Sequence, residues 1–130
     1  MSTAIQNKKT FIFVKFQKEG IHCYPQALTD ELLKTGDWDD VSFLGYPHRH
    51  IFHVKLWVEV FHDDRDIEFI QIKRYITRSL EQGTINFNSK SCEMISDDLY
   101  NLVNEKYPNR DIKIEVSEDD ENGSYTEYLK

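Results

Sequence analysis

The run from His48 to Val60 constrains this chain more than any other stretch. Its even positions read His48, His50, Phe52, Val54, Leu56, Val58 and Val60, and its odd positions include Ile51, His53, Lys55, Trp57 and Glu59. Successive side chains of a strand point to opposite faces, so an unbroken period of two means one long amphipathic β-strand. Such a strand needs neighbours along its edges and a cover for its apolar face, which makes the rest of the chain a search for both.

Phe11 to Phe16 is aromatic and β-branched around the single Lys15, the composition of a first strand buried on both faces or nearly so. Between Tyr24 and Tyr46 the pattern breaks up. Thr29, Asp30, Glu31, Leu32, Leu33 and Gly36 suit a short capped helical turn there, and the rest reads as loop. After the long strand, His62 to Asp66 is a charged turn. Phe69, Ile72, Ile76 and Leu80 then recur at helical spacing, with Gly83 placed to cap the end. A second helix fits Ser91 to Lys106, with Ile95, Leu99, Leu102 and Val103 on one face and Pro108 as a stop. Ile112 to Glu118 alternates as a third strand. Asn122 and Gly123 offer hairpin-turn chemistry, and Ser124 to Leu129 returns as a fourth. The order ββααββ predicts an α+β fold, a four-stranded antiparallel sheet with two helices on one face. It is read as a single domain over 1–130, with 1–9 flexible. The edges of so small a sheet would lie open, so a closed homo-oligomer is expected.

Length and charge narrow the function classes. The 130 residues suffice for one core. The net charge is −7 and the 16 Lys and Arg are scattered, so the basic footprint of a nucleic-acid binder is missing. No apolar run approaches membrane-spanning length, and Met1 to Lys9 is polar, which leads to the expectation of a cytoplasmic protein without a membrane partner. Cys23 and Cys92 match no paired framework and read as reduced thiols. The acidic segment from Ser117 to Asn122 reads as a solvated turn.

His48 and His50 lie two apart on a strand, so both imidazoles leave the same face within reach of one metal ion. His22, shortly after the first strand, is the available third ligand if the first two strands pair as a hairpin. Three neutral imidazoles leave one tetrahedral position open, the arrangement of a catalytic zinc site. An H-x-H also arises by chance, and His53 and His62 have no evident ligand role.

The neighbouring residues strengthen the metal reading. Gly20-Ile21-His22 resembles the Ala-Ala-His, and His48-Arg49-His50 the His-Gly-His, of the 6-pyruvoyl- and 6-carboxy-tetrahydropterin synthases, whose tunnelling fold has the same ββααββ order. Asp66 to Lys73 resembles that family's approach to its first helix, Leu80 to Asn86 its L-D-H-x-x-L-N segment, and Ser91-Cys92-Glu93 the T-[SA]-E that opens its second helix. The resemblance spans nearly the whole chain in the right order. It implies Zn2+ on His22, His48 and His50, and a trimer or hexamer. It also implies lyase chemistry on a pterin such as 7,8-dihydroneopterin triphosphate, and so a place in queuosine, biopterin or other deazapurine or pterin metabolism. Glu118 stands where the family's carboxylate anchors the pterin ring. A carboxylate on the apolar face of a strand needs donors, and ring N–H groups supply them; otherwise Glu118 merely begins the acidic turn.

The departures fall on proton transfer. The family's cysteine four residues ahead of its His-Gly-His is Leu44 here, and its Asp-His pair is Glu81 and Gln82. A glutamine amide does not titrate in the useful range. Cys23, beside a proposed ligand, is one substitute, since a nearby cation favours the thiolate; its alternative is a small buried residue. Glu81 is another, set against an ordinary exposed helix end. Two readings stay open: a zinc-dependent synthase with a degenerate relay, and a non-catalytic zinc-containing oligomer that binds a pterin, deazapurine or related nucleotide.

Overall fold

The computed structural model describes residues 5–130. The long strand His48–Val60 (β2) forms over the expected residues, with Phe52, Val54, Leu56, Val58 and Val60 buried. Its first partner, β1, runs Thr10–His22, longer than the expected Phe11 to Phe16. β1 and β2 pair antiparallel in continuous register from Thr10↔Val60 to His22↔His48. His22 is therefore the last residue of the strand and sits directly across from His48. β1 is buried on one face only: Val14 and Phe16 point inward, and Phe13, on the other face, is 52% exposed.

β2 also pairs antiparallel with β4 (Ile112–Glu118), from Phe52↔Glu118 to Val58↔Ile112, and β4 pairs with β5 (Asn122–Tyr128). Two helices cover the apolar face, α1 (Phe69–Ser79) and α2 (Cys92–Lys106). Ile72 and Ile76 of the first and Ile95, Leu99 and Val103 of the second meet Leu56, Val58, Ile112, Ile114 and Val116 in one buried cluster. A fully buried aliphatic side chain contributes about 1.5–3 kcal/mol, so this layer supplies the main stabilisation. The helix starts follow from their caps. The Glu68 carboxylate accepts from the Gln71 amide, and the Ser91 hydroxyl accepts from the Met94 amide.

Four expectations are corrected. Among the described residues the sheet has five strands rather than four, in the order β3-β1-β2-β4-β5. The added strand, β3 (Ile85–Asn88), runs parallel to the end of β1 and pairs with Gly20, Ile21 and His22 across a register shift. Ile85 and Phe87 alternate with Asn86 and Asn88 over only four residues, the shortest run that can signal a strand, and only the fold places them on an edge. α1 ends at Ser79 with Leu80 as its cap, while Gly83 lies in the bend beyond at φ 68. The β4–β5 turn is built by Asp119 and Asp120, at φ 55 and 60, instead of by Asn122 and Gly123. Gly123 already belongs to β5, where a Cβ would meet the Val116 carbonyl oxygen at 2.1 Å. Between β1 and β2, the expected capped turn forms, with the Lys34 amide donating to the Asp30 carbonyl oxygen at 2.7 Å and the Leu32 amide to Asp30 Oδ1 at 2.9 Å, but part of what was expected as loop on either side is 3-10 helix, at Pro25–Leu28 and Ser42–Gly45, which close on each other where Gly45 meets Leu28.

Residues 5–9 precede the first strand, with Lys8 paired to Asp63 and Lys9 to Asp111. The rest of the segment expected to be flexible, 1–4, lies outside the described residues. No helix among the described residues is long and apolar enough to cross a membrane.

Candidate metal centre

The β1–β2 register alone brings two histidines face to face, and strand alternation adds the third. The ligand atoms of His22, His48 and His50 all lie within 4.8 Å of one another. Their ring centroids are 4.6, 5.3 and 5.0 Å apart, with rings steeply inclined to one another. Phe52, two residues further along β2, closes the floor: its ring packs edge-on at 5.3 Å from His22 and 5.7 Å from His50.

The outer nitrogens show which tautomers are held. Nδ1 of His22 is 2.8 Å from the Lys90 carbonyl oxygen, Nδ1 of His48 is 2.8 Å from that of Tyr46, and Nδ1 of His50 is 2.7 Å from Asp119 Oδ2. Each of these oxygens accepts, so each Nδ1 carries a proton, and in the neutral ring Nε2 is then the nitrogen with the free lone pair. This is the orientation device of metal-ligating histidines. The Nε2 atoms of His22 and His50 are buried without a hydrogen bond, although most buried polar atoms in a folded protein find one. A cation bound by imidazole resolves that deficit, so the donor set fits a metal ion.

Asp119 was not singled out by sequence. Its Oδ1 accepts from the Ile51 amide at 2.9 Å while Oδ2 accepts from His50 Nδ1. The His50 hydrogen bond, then that amide, holds its carboxyl below the usual aspartate range. Its only sequence signal was a place in an Asp-rich turn, where left-handed backbone favours Asp and Asn.

A cleft of about 540 Å³ opens from the histidines. His22, Cys23, Leu44, His48, Glu93 and Glu118 all border it. Cys92 borders it too, but burial first, and then the charges of Glu118 and Glu93, push that thiol up to about 12, so it stays protonated at neutral pH. Glu118 points inward: its Oε2 is 2.8 Å from His22 Nε2 and 3.6 Å from His50 Nε2. Glu81 sits elsewhere, exposed after α1 and bordering a separate cleft of about 250 Å³ beneath Phe52. Within the chain, the fold thus gathers His22, His48, His50, Glu118 and Cys23, and leaves Glu81 on the far side of that ring.

Comparison of the whole structure with solved ones gives a consistent answer. 6-Pyruvoyl tetrahydropterin synthase from Plasmodium vivax superposes with a TM-score of 0.62 at 12% identity, over 95% of this chain and 100% of that one. The Plasmodium falciparum protein of the same name gives 0.62 at 14% identity over the same shares. This chain has the 6-pyruvoyl tetrahydropterin synthase fold. A catalytic-residue mutant of the P. vivax protein also superposes, with a TM-score of 0.58 at 9% identity over the same shares. No protein-family model and no curated protein matches the sequence. At such identities the likeness lies in backbone architecture, which agrees with a sequence resemblance carried by short motifs at the strand and helix ends.

Proposed function

We propose that this protein is a zinc-dependent, 6-pyruvoyl/6-carboxy-tetrahydropterin synthase-like lyase acting on a pterin such as 7,8-dihydroneopterin triphosphate. The observation that carries the reading is the convergence of three Nε2 lone pairs, each fixed by an acceptor on Nδ1, in a cleft of a chain with this fold. Zinc bound there supplies a Lewis acid for the oxygen atoms of a substrate side chain.

The protein's own groups do the rest. His22, His48 and His50 hold the ion. The Glu118 carboxylate, in the same cleft, is suited to accept N–H bonds from a pterin ring. Proton transfer falls to Cys23 beside His22 or to Glu81. Leu44, in the cleft wall, and Gln82 provide no titrating group, so turnover is expected to be slow. The part of β1 from Thr10 to Glu19 has no partner on its outer side among the described residues, and neither does β5. Pairing of these edges between copies would make a trimer or hexamer and would bring a neighbour's residues near each cleft.

The test is incubation of zinc-loaded protein with 7,8-dihydroneopterin triphosphate, measuring triphosphate release against His48→Ala. Turnover above that control supports the lyase. Ligand-dependent stabilisation in a thermal melt without turnover would instead favour the non-catalytic binding protein. A stable monomer in light scattering at micromolar concentration would refute the shared-edge assembly.

A further inference from the structure

The histidine cleft is short of positive charge for the ligand proposed for it. Among the described residues that border it, Glu93 and Glu118 bring two carboxylates, and Lys90 brings the only ammonium or guanidinium group. The chain as a whole carries a net charge of −7. A phosphate chain that enters such a cleft is repelled by both carboxylates, so a cation in the wall has to offset them. Lys90 is the cation the chain provides there.

The backbone of Lys90 is fixed, whereas its side chain has two clefts within reach. Its amide donates to the Phe87 carbonyl oxygen at 3.0 Å, and its own carbonyl oxygen is 2.8 Å from His22 Nδ1. Asn88, left-handed at φ 56, accepts the Cys23 amide on its carbonyl oxygen at 2.9 Å, so the segment is tied to β1 and to the residue that follows it. The ammonium rests on Asp98 of α2, in a pair whose side chains are 45% and 54% exposed. Exposed pairs of this kind are weak and give way to a stronger anion. Asp98 lies outside the histidine cleft, in the wall of the cleft beneath Phe52, while Lys90 borders both. Rotation about its flexible stem therefore carries the ammonium from one cleft to the other without moving the backbone. Ser91, beside it in the histidine cleft, adds a donor, because its Oγ accepts from the Met94 amide and keeps its hydroxyl proton available.

We propose that Lys90 is the residue that reads phosphate in this cleft: its ammonium exchanges the Asp98 carboxylate for the phosphate groups of an incoming pterin. It sets specificity and takes no part in proton transfer. A pterin that carries a phosphate chain is selected over the same pterin without one, and Asp98 holds the ammonium in the ligand's absence. The inference rests on the pterin reading proposed above, and its test separates the two.

The experiment is equilibrium dialysis of zinc-loaded protein against neopterin and against neopterin triphosphate at constant ionic strength, in wild type, Lys90→Gln and Asp98→Asn. Zinc content and a thermal melt are checked in each variant. Hydrogen bonds to a charged group are strong enough for wild type to bind the triphosphate at least about tenfold more tightly than neopterin. In Lys90→Gln most of that ratio should disappear while affinity for neopterin stays within about twofold of wild type, and in Asp98→Asn the ratio should rise because the ammonium is freed. A ratio in Lys90→Gln equal to that of wild type overturns the assignment and leaves pterin binding standing. Equal wild-type affinity for the two ligands overturns it as well. Should Lys90→Gln lose its zinc or its fold, Asp98→Asn decides, and an unchanged ratio there overturns the exchange. Wild-type protein that binds neither ligand overturns the pterin reading and this inference together.

Discussion

Replacing Asp119 by asparagine tests whether the centre depends on an oriented second layer. The backbone there is left-handed, at φ 55, which asparagine tolerates as well as aspartate, so the turn should persist. The chemistry changes in two ways. Aspartate uses both oxygens, one for the Ile51 amide and one for His50 Nδ1, whereas an amide offers a single acceptor oxygen. One of the two donors must therefore face an NH2 group, and the ring loses the charge that raises the basicity of its Nε2. Loss of such a partner typically weakens metal binding by about 10–100-fold, which is about 1.4–2.7 kcal/mol. The measurement is zinc affinity by chelator competition, with Asp120→Asn as the control. Asp120 occupies the same turn at φ 60 and makes no contact to a histidine nitrogen. An Asp119→Asn protein that folds normally and binds zinc within twofold of wild type would show that His50 is oriented by β2 alone.

Further outcomes follow from the same contacts. Gly20→Ala should cost about 1–3 kcal/mol in urea unfolding and weaken zinc binding, because the new methyl would meet the Phe87 ring at 2.4 Å and that of Phe52 at 2.9 Å, and Phe52 supports His22 and His50; unchanged values would mean the rings yield freely. Leu56→Ala, at a fully buried site on β2, should cost about 2–5 kcal/mol, and a smaller loss would contradict the packed sheet–helix layer. Arg110 Nη1 donates to Asp66 and holds that carboxyl below its ordinary range. A depressed folded-state value means stability present above the unfolded value, near 4, and lost as pH falls through the folded one. Melts of Asp66→Asn and wild type in chelator should differ at pH 7 and begin to converge only as pH falls from about 4 toward the lower folded-state value, and a gap independent of pH would refute the linkage. Leu44→Cys with Gln82→His should raise product formation from 7,8-dihydroneopterin triphosphate if those positions limit proton transfer. A wild type already turning over at about one per second or faster would show that another group carries the proton.

The features legible in the sequence are those that depend on residues a few positions apart. Alternation from His48 to Val60 set both the strand and the shared face of His48 and His50, since the side-chain period of a strand is two wherever the strand is placed. The helices announced themselves through apolar spacing, because that signal acts within one or two turns. His22 was within reach by assuming a hairpin, and the continuous β1–β2 register placed it opposite His48.

Other features arose only when distant segments met. Asp119 reaches His50 across 69 positions, and the Lys90 carbonyl reaches His22 across 68. No local pattern encodes either pairing, because a backbone oxygen has no residue type and an aspartate in a turn looks the same with or without a histidine beside it. β3 alternates over only four residues, too few to stand out, and pairs because the α1–α2 connection lies along the edge of β1. Cys23 and Glu81 were both open as proton carriers, each against a plainer reading, yet the fold put one in the histidine cleft and the other, exposed, at a separate cleft. Sequence determined which side chains could bind a metal. The tertiary structure decided which oxygen atoms orient them, because orientation depends on strand register and chain crossover, and these are settled by packing of the whole core.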